Sequence, residues 1–231
     1  MAAEAKKIVW DKSGEKLYET GIDRGVWYDI NSSGEYVEGE GWNGLTSVNE
    51  NPSGGDANDI YADNGKYLSL TSAENYGATI GCYTYPDGFR KSNGELEAAT
   101  GLYIGQQTRK TFGFSYRTLI GNDIDGEDHG YVIHLVYGAK ASPSSANHQT
   151  TNENPDAIEL SYEINTTPIE VEGFKKTAHF KVDSTKADPD CLTALETILY
   201  GKDPTTAGGS DGVKPRMPLP DELIDILTPN P

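Results

Sequence analysis

The chain has 231 residues, a formal net charge of −17 and a hydrophobic fraction of 35%. This length allows one or two domains, and the abundance of Gly and Tyr favours turns and strands over helices. The acidic balance is opposite to the basic surface of a DNA-binding protein and argues against that class. No stretch approaches 18 apolar residues, and the first ten residues contain no long apolar segment. We therefore predict neither a membrane span nor a signal peptide.

The first strands are short and are followed by a polar segment. Strands are expected at 8–10, 25–30 and 35–42. Residues 43–65 are rich in Gly, Asn, Asp, Ser and Pro, which is typical of a long inter-strand loop. Long loops in compact domains are uncommon and are usually functional, so we expect this one to dock on another surface. The apolar residues near its ends are Trp42, Leu45, Ile60 and Tyr61.

Further strands are expected at 66–70, 78–85, 101–107, 110–120, 130–139, 157–164, 169–174 and 177–183. The strand at 157–164 alternates regularly, which is typical of a strand with one buried face. Its predicted inward residues are Ile158, Leu160, Tyr162 and Ile164, and its predicted outward residues include Glu159 and Glu163.

The segment 120–139, IGNDIDGEDHGYVIHLVYGA, joins an acidic stretch to a strand that is apolar on both faces. An EF-hand is excluded, because a loop with Gly126 at the sixth position would begin at Gly121 and end at Val132. A hydrogen-bonded loop between two strands is the favoured interpretation, and another kind of calcium site stays open. The apolar strand 131–137 needs two coverings, one from the core and one from a helix or a neighbouring subunit.

One helix is predicted near 188–200, with Asp188 as N-cap, Pro189 in the first turn and Gly201 after the end. We divide the chain into a β domain (1–201) and a C-terminal part (202–231). The latter holds a flexible linker at 202–215 and an arm at 218–227, either a short helix or extended. Its apolar residues, including Leu223 and Ile226, are expected to pack on a different part of the molecule or on a neighbour.

Motifs for catalysis and zinc binding are missing from the sequence. The four histidines have no zinc spacing, and nucleophile-elbow, phosphate-loop and dinucleotide motifs do not occur. Glu159 and Glu163 are about 13 Å apart along a strand, farther than glycosidase carboxylates. A carbohydrate-binding module is the alternative, with Trp10, Trp27 and Trp42 as the rings that would stack on sugars. Cys82 and Cys191 are expected to be reduced, which favours folding in a cytoplasm.

Seven blocks occur in a characteristic order: GWNGLTSVNENPSG, IYADNGKYLSLTSAENYGATIGCYTYPDGF, IGQQTRKTFGFSYRTLIGND, YVIHLVYGA, PDAIELSYEINTTPIEV, DSTKADPDCLTALETILYG and PLPDELIDIL. From about Lys6 to Leu227, the chain resembles the major tail tube proteins of long-tailed, non-contractile bacteriophages. The resemblance implies a β-sandwich or barrel-like subunit with a flanking helix. It further implies stacked homohexameric rings that form a hollow tube for the genome, with no catalysis and no cofactor.

Under this resemblance, the chain belongs to the virion and is assembled in the host bacterial cytoplasm. Its expected partners are further copies of itself and the tape measure, tail terminator and distal tail proteins. Double-stranded DNA passes without specific binding, and no membrane is involved. Residues 25–65 and 141–174 lack Lys and Arg, and a wall without cations avoids phosphate contacts. The predicted lumen acids are Glu159, Glu163, Glu170 and Glu172, and the second choices are Glu35, Glu38 and Glu40. The predicted contacts between subunits or rings are Trp42, Leu45, Ile60, Tyr61, Leu223 and Ile226.

Overall fold

The computed structural model describes residues 7–150, 153, 157–206 and 209–229. The strands are β1 (Tyr18–Ile30), β2 (Tyr36–Trp42), β3 (Leu45–Glu50), β4 (Ser53–Gly54), β5 (Ala57–Ala62), β6 (Gly65–Thr71), β7 (Glu74–Asn75), β8 (Gly77–Cys82), β9 (Leu96–Ala99), β10 (Leu102–Ile104), β11 (Phe112–Asn122), β12 (Gly126–Ala141), β13 (Leu160–Thr166) and β14 (His179–Asp183). The helices are α1 (Phe89–Asn93), α2 (Pro189–Tyr200) and α3 (Pro220–Leu227). The prediction of a mainly β fold is confirmed.

Eight strands form one antiparallel sheet in the order β2-β1-β11-β12-β13-β8-β3, with β14 paired to β12. The two ends of this order are neighbours in sequence, since only residues 43–44 separate β2 from β3. The sheet therefore rolls up until β3 comes close to β1. There the Leu45 side chain occupies the space beside Gly25 that a Cβ would fill, so a larger residue at position 25 would collide with it.

The central strand β12 is buried on both faces, as the apolar run 131–137 predicted. Val136 faces an inner cluster enclosed by the rolled sheet. Ile133, Leu135 and Tyr137 face an outer cluster between the sheet and the helices α2 and α3. The inner cluster comprises Trp27, Trp42, Ala78, Ile80, Cys82, Phe89, Phe112, Phe114, Tyr116, Val136, Ala139, Ala141, Tyr162 and Ile164. The outer cluster comprises Val26, Tyr28, Tyr36, Ile133, Leu135, Tyr137, Val182, Leu192, Leu195, Leu199, Met217 and Leu223.

Helix α2 follows its sequence signals closely. The Asp188 side chain accepts hydrogen bonds from the backbone N–H groups of Asp190 and Cys191, at 3.0 and 3.2 Å, and so caps the first turn. Gly201 ends the helix with a φ of 79°, a conformation that glycine adopts without strain. The apolar stripe Leu192, Leu195 and Leu199 faces the outer cluster. This helix is the second covering of β12.

Several element predictions are wrong. Residues 43–65 are not a loop, because they contain β3, β4 and β5. Here β3 pairs with β8 in the main sheet, while β5 keeps its polar residues because it is exposed. Residues 8–10 lie outside any strand and are exposed, and 169–174 form only a single bridge, between Ile169 and Thr177. Residues 157–159 also precede β13, so Ile158 is exposed.

The C-terminal arm is part of the same folded body. Helix α3 buries Leu223 in the outer cluster, and Met217 pairs with Tyr36 of β2. Arg216 and Glu222 form a two-bonded ion pair that links the approach to α3 with its first turns. The predicted division at residue 202 therefore marks no separate packing unit in the described residues. Helix α1 was not predicted and adds Phe89 to the inner cluster.

Replacing Leu195 by Ala tests the second covering of β12. Leu195 is fully buried, so the substitution leaves a cavity in the outer cluster and should lower the free energy of unfolding by about 2–5 kcal/mol. Thr193→Ala on the exposed side of the same helix is the matched control and should change it by less than about 1 kcal/mol. Chemical denaturation of the dilute chain measures both. Equal effects would contradict this packing.

Candidate functional site

A two-stranded hairpin stands apart from the main sheet. Strands β5 and β6 pair with each other from Ala57 opposite Thr71 to Ala62 opposite Gly65, and they form a separate sheet in the described part of the chain. Every residue of both strands is exposed. An isolated hairpin is at best marginally stable in water. A surface that covered this one would therefore stabilise it.

The register gives this hairpin one aliphatic face. Ile60 lies opposite Leu68, and Leu70 follows two residues later, so the three side chains point the same way. They are 39%, 37% and 54% exposed. Asp59 and Ser69 lie opposite each other on the other face and are hydrogen bonded at 2.6 Å. The aliphatic face is an apolar surface that the chain leaves open to solvent.

A second exposed hairpin is formed by β9 and β10. Ile104 lies opposite Leu96, and both are about half exposed, as is Leu102, while Tyr103 is 37% exposed. The Arg90 guanidinium stacks on the Tyr103 ring at 4.2 Å and so ties this hairpin to α1. This surface was not predicted from the sequence. Its signal is the apolar content of the short segment LYI, which is exposed although its composition is that of a buried strand.

The predicted contact residues fall into two groups. Ile60 and Tyr61 lie on the exposed hairpin. Trp42 is buried in the inner cluster and Leu223 in the outer cluster, so the prediction that they form contacts with other subunits is wrong. Leu45 and Ile226 are partly buried and pack against the same two clusters. Their apolar character serves the chain's own core.

Strands β3, β8 and β13 share a polar outer face. Glu163 of β13 lies opposite Thr79 of β8, which in turn lies opposite Asn49 of β3. Glu159 precedes β13 and its carboxylate accepts a hydrogen bond from the hydroxyl of Thr46. These three strands contain no Lys or Arg. We call the outer face of β3, β8 and β13 the acidic face.

Lys140 borders the acidic face. The register places Lys140 of β12 directly opposite Asn165 of β13, and Lys140 is exposed. Residues opposite each other on antiparallel strands share a face. The expected surface without cations therefore extends over β3, β8 and β13 but does not include β12.

The other two predicted lumen acids lie elsewhere. Glu170 and Glu172 do not project from a strand, because residues 170–174 run from a single bridge into a turn. Glu170 pairs with Lys176 at 2.8 Å, and this partner lowers the pKa of its carboxyl group. The Glu172 N–H donates to Asp221 at the start of α3. The prediction that Glu170 and Glu172 project from a strand face is wrong, and of the four predicted lumen acids only Glu163 lies within a strand.

The acidic stretch that follows β11 is a hydrogen-bonded turn. The Asn122 side chain accepts from the N–H groups of Ile124 and Asp125, at 3.0 and 2.5 Å. The Asp123 carboxylate accepts from Gly14 N–H at 2.9 Å, and Asp125 lies 3.1 Å from His129. The interpretation as a loop that satisfies its own backbone is confirmed.

Two of the three tryptophan rings are too buried to stack on a sugar. Trp27 and Trp42 are 1% and 3% exposed, and their indole N–H groups donate to Ser92 and Thr84. Trp10 is exposed, at 74%. Two of the three rings proposed for carbohydrate stacking are therefore part of the inner cluster.

No protein-family model matches the chain, and no curated protein is significantly similar to it in sequence. Among the described residues, no helix is both long enough and apolar enough to cross a membrane.

The β5–β6 hairpin should exchange its amide hydrogens much faster than β11 and β12. It packs on no layer of the described chain, whereas β11 and β12 lie in the centre of the sheet, so local opening of the hairpin costs less free energy. Hydrogen–deuterium exchange with mass spectrometry of the dispersed chain measures this. Equal protection of 57–71 and 130–139 would contradict the exposed position of the hairpin.

Proposed function

We propose that the chain is a structural subunit that assembles with copies of itself into stacked hexameric rings, forming the hollow tail tube of a long-tailed bacteriophage. The observation that carries this proposal is the β5–β6 hairpin, an arm outside the main sheet with an open aliphatic face. An apolar surface that is open to solvent on an element outside the main sheet is suited to an interface.

A second copy of the chain is the occupant we favour for this arm. The chain carries two exposed apolar hairpins, β5–β6 and β9–β10, with different sequences. A contact between two different surfaces of identical subunits closes into a ring or propagates into a filament. Pairing the aliphatic face of one hairpin with an apolar surface of the next subunit is a contact of this kind.

The acidic face supports the proposal that DNA passes through the tube. Glu159, Glu163 and the small polar side chains around them offer no cation to phosphates, and phosphate contacts dominate non-specific DNA affinity. In a narrow bore many wall groups lie within about 8 Å of the duplex, so salt screens them little. We assign this face to the lumen.

The resemblance of the sequence to major tail tube proteins supports the finer features. These are the six-fold ring, the virion location, the lack of catalysis, and the partnership with tape measure, tail terminator and distal tail proteins. The carbohydrate-binding alternative draws less support, since Trp27 and Trp42 are buried.

The double substitution Leu68→Ser and Leu70→Ser tests whether the β5–β6 hairpin forms the interface between subunits. It removes two leucines from the aliphatic face, which costs about 2 kcal/mol or more of interface free energy and raises the concentration needed for tubes by about tenfold or more. Negative-stain electron microscopy with light scattering over a concentration series measures tube formation. Circular dichroism checks that the variant folds.

Thr71→Ala, on the Ser69 face of the same hairpin, is the matched control and should leave the assembly concentration nearly unchanged. Tubes or six-fold rings from the wild type, lost in the double variant, are the expected result. A wild type that stays monomeric at all concentrations, even when seeded with tail assemblies, would overturn the proposal. If the double variant forms tubes as well as the wild type does, the β5–β6 hairpin is not part of the interface between subunits.

Converting Glu159 and Glu163 to Lys tests the lumen assignment. The variant should still assemble, but its tubes should retain linear duplex DNA at low salt and release it as salt rises, because the new ammonium groups bind phosphates. Co-sedimentation of tubes with DNA measures this. Glu163→Gln removes charge without adding a cation and should bind little DNA. If tubes of the Lys variant do not bind DNA inside the bore, the assignment of the acidic face to the lumen is contradicted.

A further inference from the structure

Three metal-ligating side chains meet where β3 comes close to β12 and β14. The group comprises Glu50, His134 and His179, and no other three His, Cys, Asp or Glu residues in the described part of the chain come together in this way. His134 Nδ1 lies 3.3 Å from His179 Nε2. The Glu50 Oε1 atom lies 3.7 Å from the first of these nitrogens and 3.8 Å from the second.

These separations suit a small cation. A triangle with such sides has a point about 2.1 Å from each corner, which is the usual zinc–nitrogen distance in proteins. Small movements of the three side chains would convert this planar arrangement into a tetrahedral one with a water as fourth ligand. Two imidazoles and one carboxylate are donors that suit zinc and its first-row neighbours.

The far side of the His134 ring is already held as in a metal ligand. Its Nε2 atom lies 3.1 Å from the Thr118 hydroxyl and 3.6 Å from the Glu19 carboxylate. The Thr118 hydroxyl donates to the same carboxylate at 2.5 Å. A proton on Nε2 therefore leaves Nδ1 free to face His179. Metal-bound histidines commonly direct their second nitrogen to a carboxylate in this manner.

Aromatic rings fix both histidines. Tyr116 stacks on His134 with ring centres 4.4 Å apart, and its hydroxyl donates to Glu50 at 3.1 Å. Tyr76 lies against His179 at 4.3 Å, and its buried hydroxyl has no hydrogen-bond partner among the described residues. Burial lowers the pKa of both His134 and His179, which favours the neutral rings that bind metals.

We propose that Glu50, His134 and His179 bind a divalent transition-metal ion of the zinc type. The ion takes the place of the hydrogen that bridges the two imidazole nitrogens. The His179 proton moves from Nε2 to Nδ1, so the ring stays neutral. Lys181, whose ammonium lies 3.5 Å from Glu50 Oε1, gives up that contact, and its half-exposed side chain turns to solvent.

A metal ion at this site would stabilise the rolled form of the sheet. Glu50 belongs to β3, at one end of the sheet order, and His179 belongs to β14, which pairs only with β12 among the described strands. An ion held by these residues ties β3 to the β12–β14 pair, and among the described residues no backbone hydrogen bond joins β3 to either of those strands. A ligand that binds only the folded chain stabilises it. This inference is independent of tube assembly, because all three residues come from one chain.

Thermal unfolding and cobalt absorbance of the dispersed, EDTA-stripped chain test the site. Zn²⁺ in large excess over its dissociation constant should raise the unfolding temperature by about 5 °C or more, whereas Mg²⁺ should leave it unchanged. Co²⁺ should give visible absorption bands at one equivalent per chain. A wild type with no Zn²⁺ response and no Co²⁺ bands would overturn the proposal.

Variants assign the ligands. His179→Gln and Glu50→Gln should each weaken Zn²⁺ binding by about tenfold or more, measured by competition with a chromophoric chelator. His148→Gln and His129→Gln, at histidines outside the cluster, are controls and should bind like the wild type. Binding that survives in both ligand variants, or that is lost in His129→Gln, would also overturn the proposal. If His179→Gln fails to fold by circular dichroism, Glu50→Gln decides, because its side chain lies at the edge of the cluster.

Discussion

The burial of β12 on both faces is the constraint on which the other parts of the fold depend. A strand with apolar residues on both faces requires a layer on each, and the chain builds the two layers in different ways. The inner layer comes from rolling the sheet, which brings aromatic residues of β1, β2, β11 and β13 together. The outer layer comes from α2 and α3, which reach the sheet only after all its strands have been laid down in sequence.

The elements that were predicted well are those in which local signals and tertiary packing agree. Helix α2 has a cap, a proline, an apolar stripe and a terminal glycine, and its ends were predicted almost to the residue. The burial of Tyr162 and Ile164 followed from alternation in β13. The prediction of a loop at residues 43–65 was wrong, because an exposed hairpin has the polar composition of a loop. Only the pairing of β5 with β6 distinguishes the two.

Surface residues were harder to predict than core residues. Trp42 and Leu223 are apolar residues close to polar segments, and no pattern in the sequence shows that they are covered by their own chain. The group of Glu50, His134 and His179 was beyond sequence reasoning for a different reason. Its members have no characteristic spacing and meet only because the sheet rolls until β3 approaches β14. The histidine within an apolar strand was the one visible signal.

The contacts of β1 and β2 with residues 199 and 217 bear on how the chain folds during synthesis. The Tyr28 hydroxyl donates to the carbonyl oxygen of Leu199, and the Met217 N–H donates to that of Tyr36. Strands β1 and β2 therefore lack their outer covering until residues 189–227 have left the ribosome. Such distant contacts slow folding and leave apolar strands exposed during synthesis. A nascent chain is thus dependent on residues 189–227, and termination before them would release an aggregation-prone sheet.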